Sequence, residues 1–573
     1  MSRDVNVGLA RSLVDEWARA GVTTAALSPG SRSAPLALAL AADERIRLHV
    51  FLDERSASFF ALGAAKQSGV PSIILTTSGT AAANLHPAVI EAHHSGVPLV
   101  VCTADRPPEL RDTGAGQSID QIKLFGDAVR WFCEVGAPED RDGAGAYWRT
   151  IAARAVATAV GSPAGPVHLN LALREPLVPT GGEPAGVEGR PGGAPWVISS
   201  PRRPVAHPDD VDRLADAVSR SKRGVLVAGW GARADPNVVR RFAAGCGWPL
   251  LADPLSGARV GEQAIATYDS LLRIPAFAGA HQPDLVVQVG APPTSKSATA
   301  WLDQSVPRIL VDPDGVWLDP QRAVSERLTS DAGALLEAVA DRMGGASDAG
   351  GEWLTAWLAA DAAARHAIDE LVDSWDAPFE GRVARDLVAC LDDGATLVVG
   401  SSMPVRDVEG FARPRSGLRL LANRGVNGID GFVSTALGVA SVAAGPVVAL
   451  TGDLGFLHDA GGLLDAARRD LNAVFVVLDN AGGGVFSFLP QAQLPVHFET
   501  LFGTPHHLDL VALATVHRLV ARRVERADEV VGAVELALKE GGVHVIVVPT
   551  DRADNLERHE QVWRAVAASS EQR

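Results

Sequence analysis

Asp453 and Asn480 stand 27 residues apart, each just after an apolar, β-branched run and each within two residues of glycine. Asp453 lies in Thr451-Gly452-Asp453-Leu454-Gly455, and Asn480 in Asp479-Asn480-Ala481-Gly482-Gly483-Gly484. The separation suits one helix and one strand, which places both residues at the ends of neighbouring strands. A carboxylate, an amide oxygen and a backbone carbonyl freed by a glycine-rich turn are hard ligands, suited to Mg²⁺ held together with diphosphate oxygens. Gly452 and glycines 482–484 let the backbone approach phosphate, and the helix that follows offers its N-terminus to the anion. Asp, Asn and Gly are also ordinary turn residues, so two structural turns are the alternative at this point.

Five cations sit beside Gly, Ser or Pro in what read as strand-end loops rather than helix faces. They are Arg32 (Ser28-Pro29-Gly30-Ser31-Arg32-Ser33), Arg106 (Ala104-Asp105-Arg106-Pro107), Lys296 (Thr294-Ser295-Lys296), Arg406 (Ser402-Met403-Pro404-Val405-Arg406) and Arg424 (Asn423-Arg424-Gly425). Any one could be a solvated charge. Together they predict substrates with several carboxylates, for which the Arg fork is suited. Glu54, in Phe51-Leu52-Asp53-Glu54-Arg55, ends one strand and opens a helix over 56–67. A helix-start acid can simply meet the helix dipole, a role that Asp53 also fits.

These loops need strands to carry them. Short β-branched runs alternate with helical patterns, which indicates parallel sheets flanked by helices. A helix over 7–20 leads to strands at 24–28, 46–52, 72–76 and 99–103, then 225–228 and 285–289, then 396–399, 447–450, 473–478 and 543–548. Gly- and Pro-rich tracts at 180–208 and 344–351 read as linkers. The expectation is an α/β protein of three doubly wound parallel-sheet domains, over 1–182, 205–343 and 352–573. Ligands of such sheets bind at the carboxyl ends of the strands. The uncharged stretch 431–452 is long enough for a bilayer but small-residue-rich, and reads as a buried helix, a turn at Gly445-Pro446 and a strand.

The 573 residues, 47% hydrophobic and 21% charged, are those of a globular protein, and 52 basic against 68 acidic residues argue against a nucleic-acid surface. Cys102, Cys133, Cys246 and Cys390 form no CxxC pair and read as reduced, mostly buried thiols. The start, MSRDVNVG, has no apolar signal-peptide core. A cytoplasmic protein without membrane insertion is expected.

The Asp453…Asn480 segment resembles the GDG…N motif of thiamine-diphosphate enzymes, with Leu454 where the motif usually has Gly. The resemblance implies Asp453, Asn480 and the Gly482 carbonyl as ligands of Mg²⁺ (or Mn²⁺), with Gly452, Leu454 and Gly483 at the diphosphate. It implies Glu54 as the carboxylate that activates the aminopyrimidine, Ser78, Gly79 and Asn84 in a segment like TSGPG…N, and Ile429 as the apolar wedge under the cofactor. The tracts PGSRS, ADRPPEL and NRGVNGIDG are similar to one family of these enzymes, the 2-succinyl-5-enolpyruvyl-6-hydroxy-3-cyclohexene-1-carboxylate synthases of menaquinone biosynthesis. That likeness implies decarboxylation of 2-oxoglutarate and 1,4-addition of the succinyl unit to isochorismate. By the same likeness Arg406 and Arg424 hold the 2-oxoglutarate carboxylate, and Ser31, Arg32, Arg106, Gln117 and Lys296 bind isochorismate. Ser402 stands near the reacting centre and Phe486 shapes the pocket. The family pairs its cofactor-binding domains across subunits, which implies a homodimer or homotetramer. Another 2-oxo-acid decarboxylase or an acetolactate-synthase-like carboligase is the alternative, but it leaves the cation set unexplained.

Two signals compete. Gly229-Trp230-Gly231-Ala232-Arg233-Ala234 follows a strand, with Asp253 22 residues after Gly231, and matches a relaxed dinucleotide fingerprint. Trp230 is bulky for a phosphate loop, so no nucleotide is expected there. His93-His94 at a helix end is read as a dipole partner rather than a catalytic pair.

Overall fold

The computed structural model describes residues 4–186, 188–200, 205–302, 306–344, 351–494 and 496–571. The chain packs as two compact units. The first is Met1–Arg202 with Asn423–Ala443 and Leu457–Leu471; the second is Arg203–Ala422, Ala444–Phe456 and Asn472–Arg573. Two segments of the expected third domain thus pack with the first part of the chain.

The first unit carries a six-stranded parallel sheet of β1 (Thr24–Leu27), β2 (Arg47–Val50), β3 (Ser72–Thr76), β4 (Leu99–Asp105), β5 (Trp131–Glu134) and β6 (Pro166–Ala172). Its order is β2-β1-β3-β4-β6-β5. The central β3, β4 and β6 are buried at every residue. Covered on both faces, parallel strands need continuous apolar runs rather than alternation, which is how they read in sequence.

The second unit holds two parallel sheets. One comprises β7 (Gly224–Ala228), β8 (Leu250–Ala252), β9 (Leu285–Val289), β10 (Arg308–Val311) and β11 (Glu326–Leu328), ordered β11-β10-β9-β7-β8. The other comprises β12 (Thr396–Val399), β13 (Arg419–Leu421), β14 (Val447–Gly452), β15 (Ala473–Asp479), β16 (Val520–Arg523) and β17 (Val543–Pro549), ordered β13-β12-β14-β15-β17-β16. This is the order of the first sheet, strand for strand. The similar rhythm of the first and third parts of the sequence is therefore a shared topology.

The expected strand over 46–52 is shorter, because Asp53 turns the chain early. Its carboxylate accepts the Arg55 amide at 2.8 Å and the Ser56 hydroxyl at 3.3 Å, so the helix Glu54–Ser68 starts two residues sooner than predicted. Helix Phe432–Ala440 lies against Glu54–Ser68 with glycine on both sides. A Cβ on Gly63 would stand 2.0 Å from Thr435 O, and one on Gly438 2.0 Å from Phe60 O. Only glycine allows the backbones this close.

The stretch 431–452 divides into that helix and β14, and no helix among the described residues is long and apolar enough to cross a membrane. Most of the 344–351 tract lies outside the described residues, as do 187 and 201–204 of the 180–208 tract. None of the four cysteines is in a disulfide; Cys102 and Cys246 are buried, Cys133 and Cys390 half-buried.

Candidate active site

β14 and β15 pair in parallel with Gly452 opposite Leu478, so Asp453 and Asn480 do leave neighbouring strands at the same edge. Asp453 is buried. Its Oδ1 accepts the Leu454 amide at 2.6 Å, and its Oδ2 accepts the Gly482 amide at 2.8 Å. Gly482 has φ +154, and a Cβ there would lie 2.2 Å from Gly503 O. The turn can fold over Asp453 only with glycine at this position. The Gly482 carbonyl accepts the Gly484 amide at 3.0 Å, which leaves one lone pair for another partner.

Asn480 tests whether these groups suit a cation. Its Nδ2 donates to Glu380 Oε1 at 2.9 Å, while its buried Oδ1 has no hydrogen-bond partner. A buried carbonyl oxygen left open costs about 1–3 kcal/mol. A divalent ion shared with the Asp453 carboxylate would remove that cost, so the donor set fits. Burial, then the nearby Asp407 charge, pushes Glu380 up to about 7.

Sequence reasoning missed His506, which stands beside Asp453 and Asp479. Its Nδ1 accepts the Leu508 amide at 3.1 Å, so in the neutral ring Nε2 carries the proton and donates to Asp453 Oδ2 at 3.1 Å. Burial raises the Asp453 pKa, and the bonds from His506, Gly482 and Leu454 oppose the rise. His506 lies 27 residues after the end of β15 and 54 after the end of β14, and no spacing rule would have found it.

A cavity of about 690 Å³ opens in the same unit, lined by Lys296, Arg406, Val485, Phe488 and Trp563 among others. It unites two of the five predicted cations. Both depart from expectation in one respect: they occupy the first turns of helices, Lys296–Trp301 and Met403–Phe411, rather than loops. Ser295 caps the first, accepting the Ala298 amide at 3.0 Å, and Pro404 opens the second with its fixed φ. Ser402, just before the second helix, has φ +75, a strained conformation for a residue with a side chain. Arg406 Nη1 donates to the Ser402 carbonyl.

Buried polar pairs hold this helix in place. His559 Nε2 lies 2.9 Å from Asp407 Oδ1, and the Tyr268 hydroxyl donates to Glu409 Oε1. Burial pushes Glu409 well above the usual carboxyl range, with Asp253 and Asp269 adding to the rise. Phe486 is half-buried, with its ring centroid 5.5 Å from that of Phe502.

In the first unit, Arg32 is buried, donates from Nη1 to Leu173 O at 2.7 Å and lies 3.4 Å from Glu175. Its Nε has no partner. Burial lowers the Arg32 pKa, and the charge of Arg106 lowers it further, so these two predicted cations share one place. Arg106 Nη2 donates to Gly116 O at 2.8 Å, next to Gln117, whose φ is +54. Gly79 lies against the Gln117 backbone, and its amide donates to Gln121 Oε1 at 2.9 Å. Gln121 was not foreseen. Buried Ser78 Oγ has no partner, Ser31 is exposed, and Asn84 is an exposed helix C-cap. Glu54 is half-buried at the first turn of its helix, with Asp53 as the cap. Arg424 and Ile429, both half-buried, belong to this unit through 423–443.

The shared topology relates the two sets of loops. Arg32 and Arg406 follow β1 and β12; Glu54 and Arg424 follow β2 and β13; Ser78 and Asp453 follow β3 and β14; Arg106 and Asn480 follow β4 and β15. Each set stands at the carboxyl edge of its sheet, where helix N-termini and free amides favour anions.

The residues of the two competing signals have structural positions of their own. Asp253, which a dinucleotide fingerprint would aim at a ribose, is fully buried and accepts the amides of Leu255 at 2.8 Å and Thr294 at 2.9 Å. His93 and His94 occupy the last turn of helix His86–Ser95.

Comparison with known proteins matches this geometry to a family. Residues 8–124 match the N-terminal TPP binding domain of thiamine pyrophosphate enzymes, 193–399 the middle domain, and 405–548 the C-terminal TPP binding domain. The 2-succinyl-5-enolpyruvyl-6-hydroxy-3-cyclohexene-1-carboxylate synthase of Thermobifida fusca is 47% identical, over 98% of this chain and 99% of its own. The synthase of Geobacillus kaustophilus is 44% identical over 97% of each chain, and that of Haloarcula marismortui 41% over 98% of each. The fold matches a thiamin diphosphate-dependent enzyme structure from Mycobacterium smegmatis with a TM-score of 0.71 at 20% identity, covering 96% of this chain and all of that one. The chain belongs to the thiamine-diphosphate enzymes and, within them, to the family of 2-succinyl-5-enolpyruvyl-6-hydroxy-3-cyclohexene-1-carboxylate synthases.

Proposed function

We propose that this enzyme decarboxylates 2-oxoglutarate and joins the remaining succinyl unit to isochorismate by 1,4-addition, in the cytoplasm and in menaquinone biosynthesis. When bound, thiamine diphosphate supplies the nucleophile and electron sink for both bond changes. Asp453, Asn480 and the Gly482 carbonyl hold Mg²⁺ or Mn²⁺, with Gly452, Leu454 and Gly483 along the diphosphate. Ser78, Gly79 and Asn84 would meet the pyrimidine side, where the Glu54 carboxylate would hydrogen-bond the ring.

Arg406 and Arg424 fork the carboxylate of the succinyl unit that remains when CO₂ leaves 2-oxoglutarate. Ser31, Arg32, Arg106, Gln117 and Lys296 orient isochorismate through its carboxylates and hydroxyl. Ser402 offers a hydroxyl beside the reacting carbonyl, and Phe486 and Ile429 exclude water. The assembly is a homodimer or homotetramer whose cofactor is shared between subunits. The domain boundaries we favour are 1–182, 205–343 and 352–573.

The observation that carries this reading is the convergence of Lys296 and Arg406 on one 690 Å³ cavity, beside the loop that follows the metal-ligand turn. Purified protein incubated with thiamine diphosphate, Mg²⁺, 2-oxoglutarate and isochorismate should yield a product with the mass of both substrates less CO₂. Turnover of pyruvate in preference to 2-oxoglutarate would instead indicate an acetolactate-type carboligase.

A further inference from the structure

We infer that Glu91 and Lys66 are positioning residues that set the conformation of the 423–430 loop, and through it the aim of Arg424. The inference rests on the reading above that Arg424 holds the 2-oxoglutarate carboxylate.

Glu91 lies on helix His86–Ser95, is 2% exposed, and uses both carboxylate oxygens on the loop. Oε1 accepts the Gly425 amide at 3.0 Å, and Oε2 accepts the Val426 amide at 2.9 Å. Two successive backbone N–H groups on one carboxylate fix the peptide plane directly after Arg424. The fit is close, since a Cβ on Gly425 would stand 2.7 Å from Glu91 O. Lys66, on the helix that begins at Glu54, completes the clamp. Its Nζ donates to Asn423 Oδ1 at 3.0 Å and lies 3.5 Å from Glu91 Oε1. Asn423 in turn donates from Nδ2 to Thr435 Oγ1 at 3.1 Å.

Residues on both sides of Arg424 are therefore held by the buried Glu91 and the half-buried Lys66, from two helices of the first unit. A buried ion pair contributes little net stability, because desolvation offsets the attraction. Directional bonds to two particular amides are what an apolar pair could not supply. That points to geometry, rather than stability, as the role of this pair.

The test uses the full-length enzyme, loaded with thiamine diphosphate and Mg²⁺, carrying Glu91→Gln, which keeps the shape but can serve only one amide. The expected result is at least tenfold faster hydrogen exchange in 423–430. A tenfold or greater rise in KM for 2-oxoglutarate should accompany it, with KM for isochorismate within twofold and kcat less affected. Glu91→Asp, which keeps the charge, should show the same effects more weakly, and it serves as the test if Glu91→Gln does not fold. Unchanged exchange in 423–430, or equal changes in both KM values, overturns the inference. Arg424→Ala separates the two levels. If it leaves KM for 2-oxoglutarate unchanged, the assignment of Arg424 is wrong; if it raises KM while Glu91→Gln does not, only the clamp is wrong.

Discussion

Glu380 Oε1 accepts the Nδ2 of Asn480 at 2.9 Å, and this single bond decides which face of the amide is left for a cation. Thr550 Oγ1 donates to the same oxygen at 3.0 Å and holds the carboxylate in turn. The ionised carboxylate can only accept, so in that form it orders the Asn480 amide with NH₂ inward and the carbonyl oxygen free.

Replacing Glu380 by Gln removes that discrimination, because a Gln amide can pair with either end of Asn480. Partners behind metal ligands typically contribute about 10–100-fold in metal affinity. Glu380→Gln should weaken Mn²⁺ binding by that order, measured by electron paramagnetic resonance of free Mn²⁺ in the presence of thiamine diphosphate. Unchanged affinity would show that the amide orients itself without Glu380.

Arg32 and Arg106 serve the second substrate in the proposed reaction, so loss of Arg32 should divide its two halves. Arg32→Ala is expected to release CO₂ from 2-oxoglutarate slowly, while joining to isochorismate falls by about 10²-fold or more, the scale of losing a buried charge-assisted pair. Parallel CO₂ and product assays measure this. An equal loss of both halves would discredit the assignment.

His168 gives a pH dependence with a definite sign. It is fully buried; Thr103 Oγ1 donates to Asn170 Oδ1 and so accepts from His168 Nε2 at 2.7 Å, while Nδ1 has no partner. Burial pushes its pKa down to about 3. Between the ordinary value near 6.5 and that level, the unfolded chain takes up a proton that the folded chain refuses. Stability therefore falls as pH drops through this window, by a few kcal/mol in all, and is unaffected above it. Urea midpoints measured from pH 7 to 4 should decline less steeply in His168→Asn than in the parent protein.

Gly438→Ala tests the close helix contact. Alanine favours a helix by about 1 kcal/mol over glycine, but its Cβ would stand 2.0 Å from Phe60 O. Overpacking against backbone costs about 1–3 kcal/mol or more, so the clash wins. Denaturant unfolding should show net destabilisation; a gain in stability would mean that the two helices can separate at little cost.

Ten of the seventeen strands among the described residues, their alternation with helices and the loops carrying Asp453, Asn480 and Arg32 were readable from the chain; β5, β6, β8, β10, β11, β13 and β16 were not, and Arg406 lies on a helix where a loop was expected. Buried parallel strands need unbroken apolar runs, and strand-end turns need Gly, Asp and Asn, so both leave local marks in sequence. Only the tertiary structure decided which partners hold those residues. His506 on Asp453, Glu380 on Asn480, and Glu91 with Lys66 on the 423–430 loop come from elements tens to hundreds of residues away. Nothing in local composition separates such residues from ordinary helix or loop positions, because a hydrogen bond between distant segments exists only once the chain has folded. The assignment of 423–443 to the first unit has the same cause: Gly63 meets Thr435, and Gly438 meets Phe60, only when their helices cross.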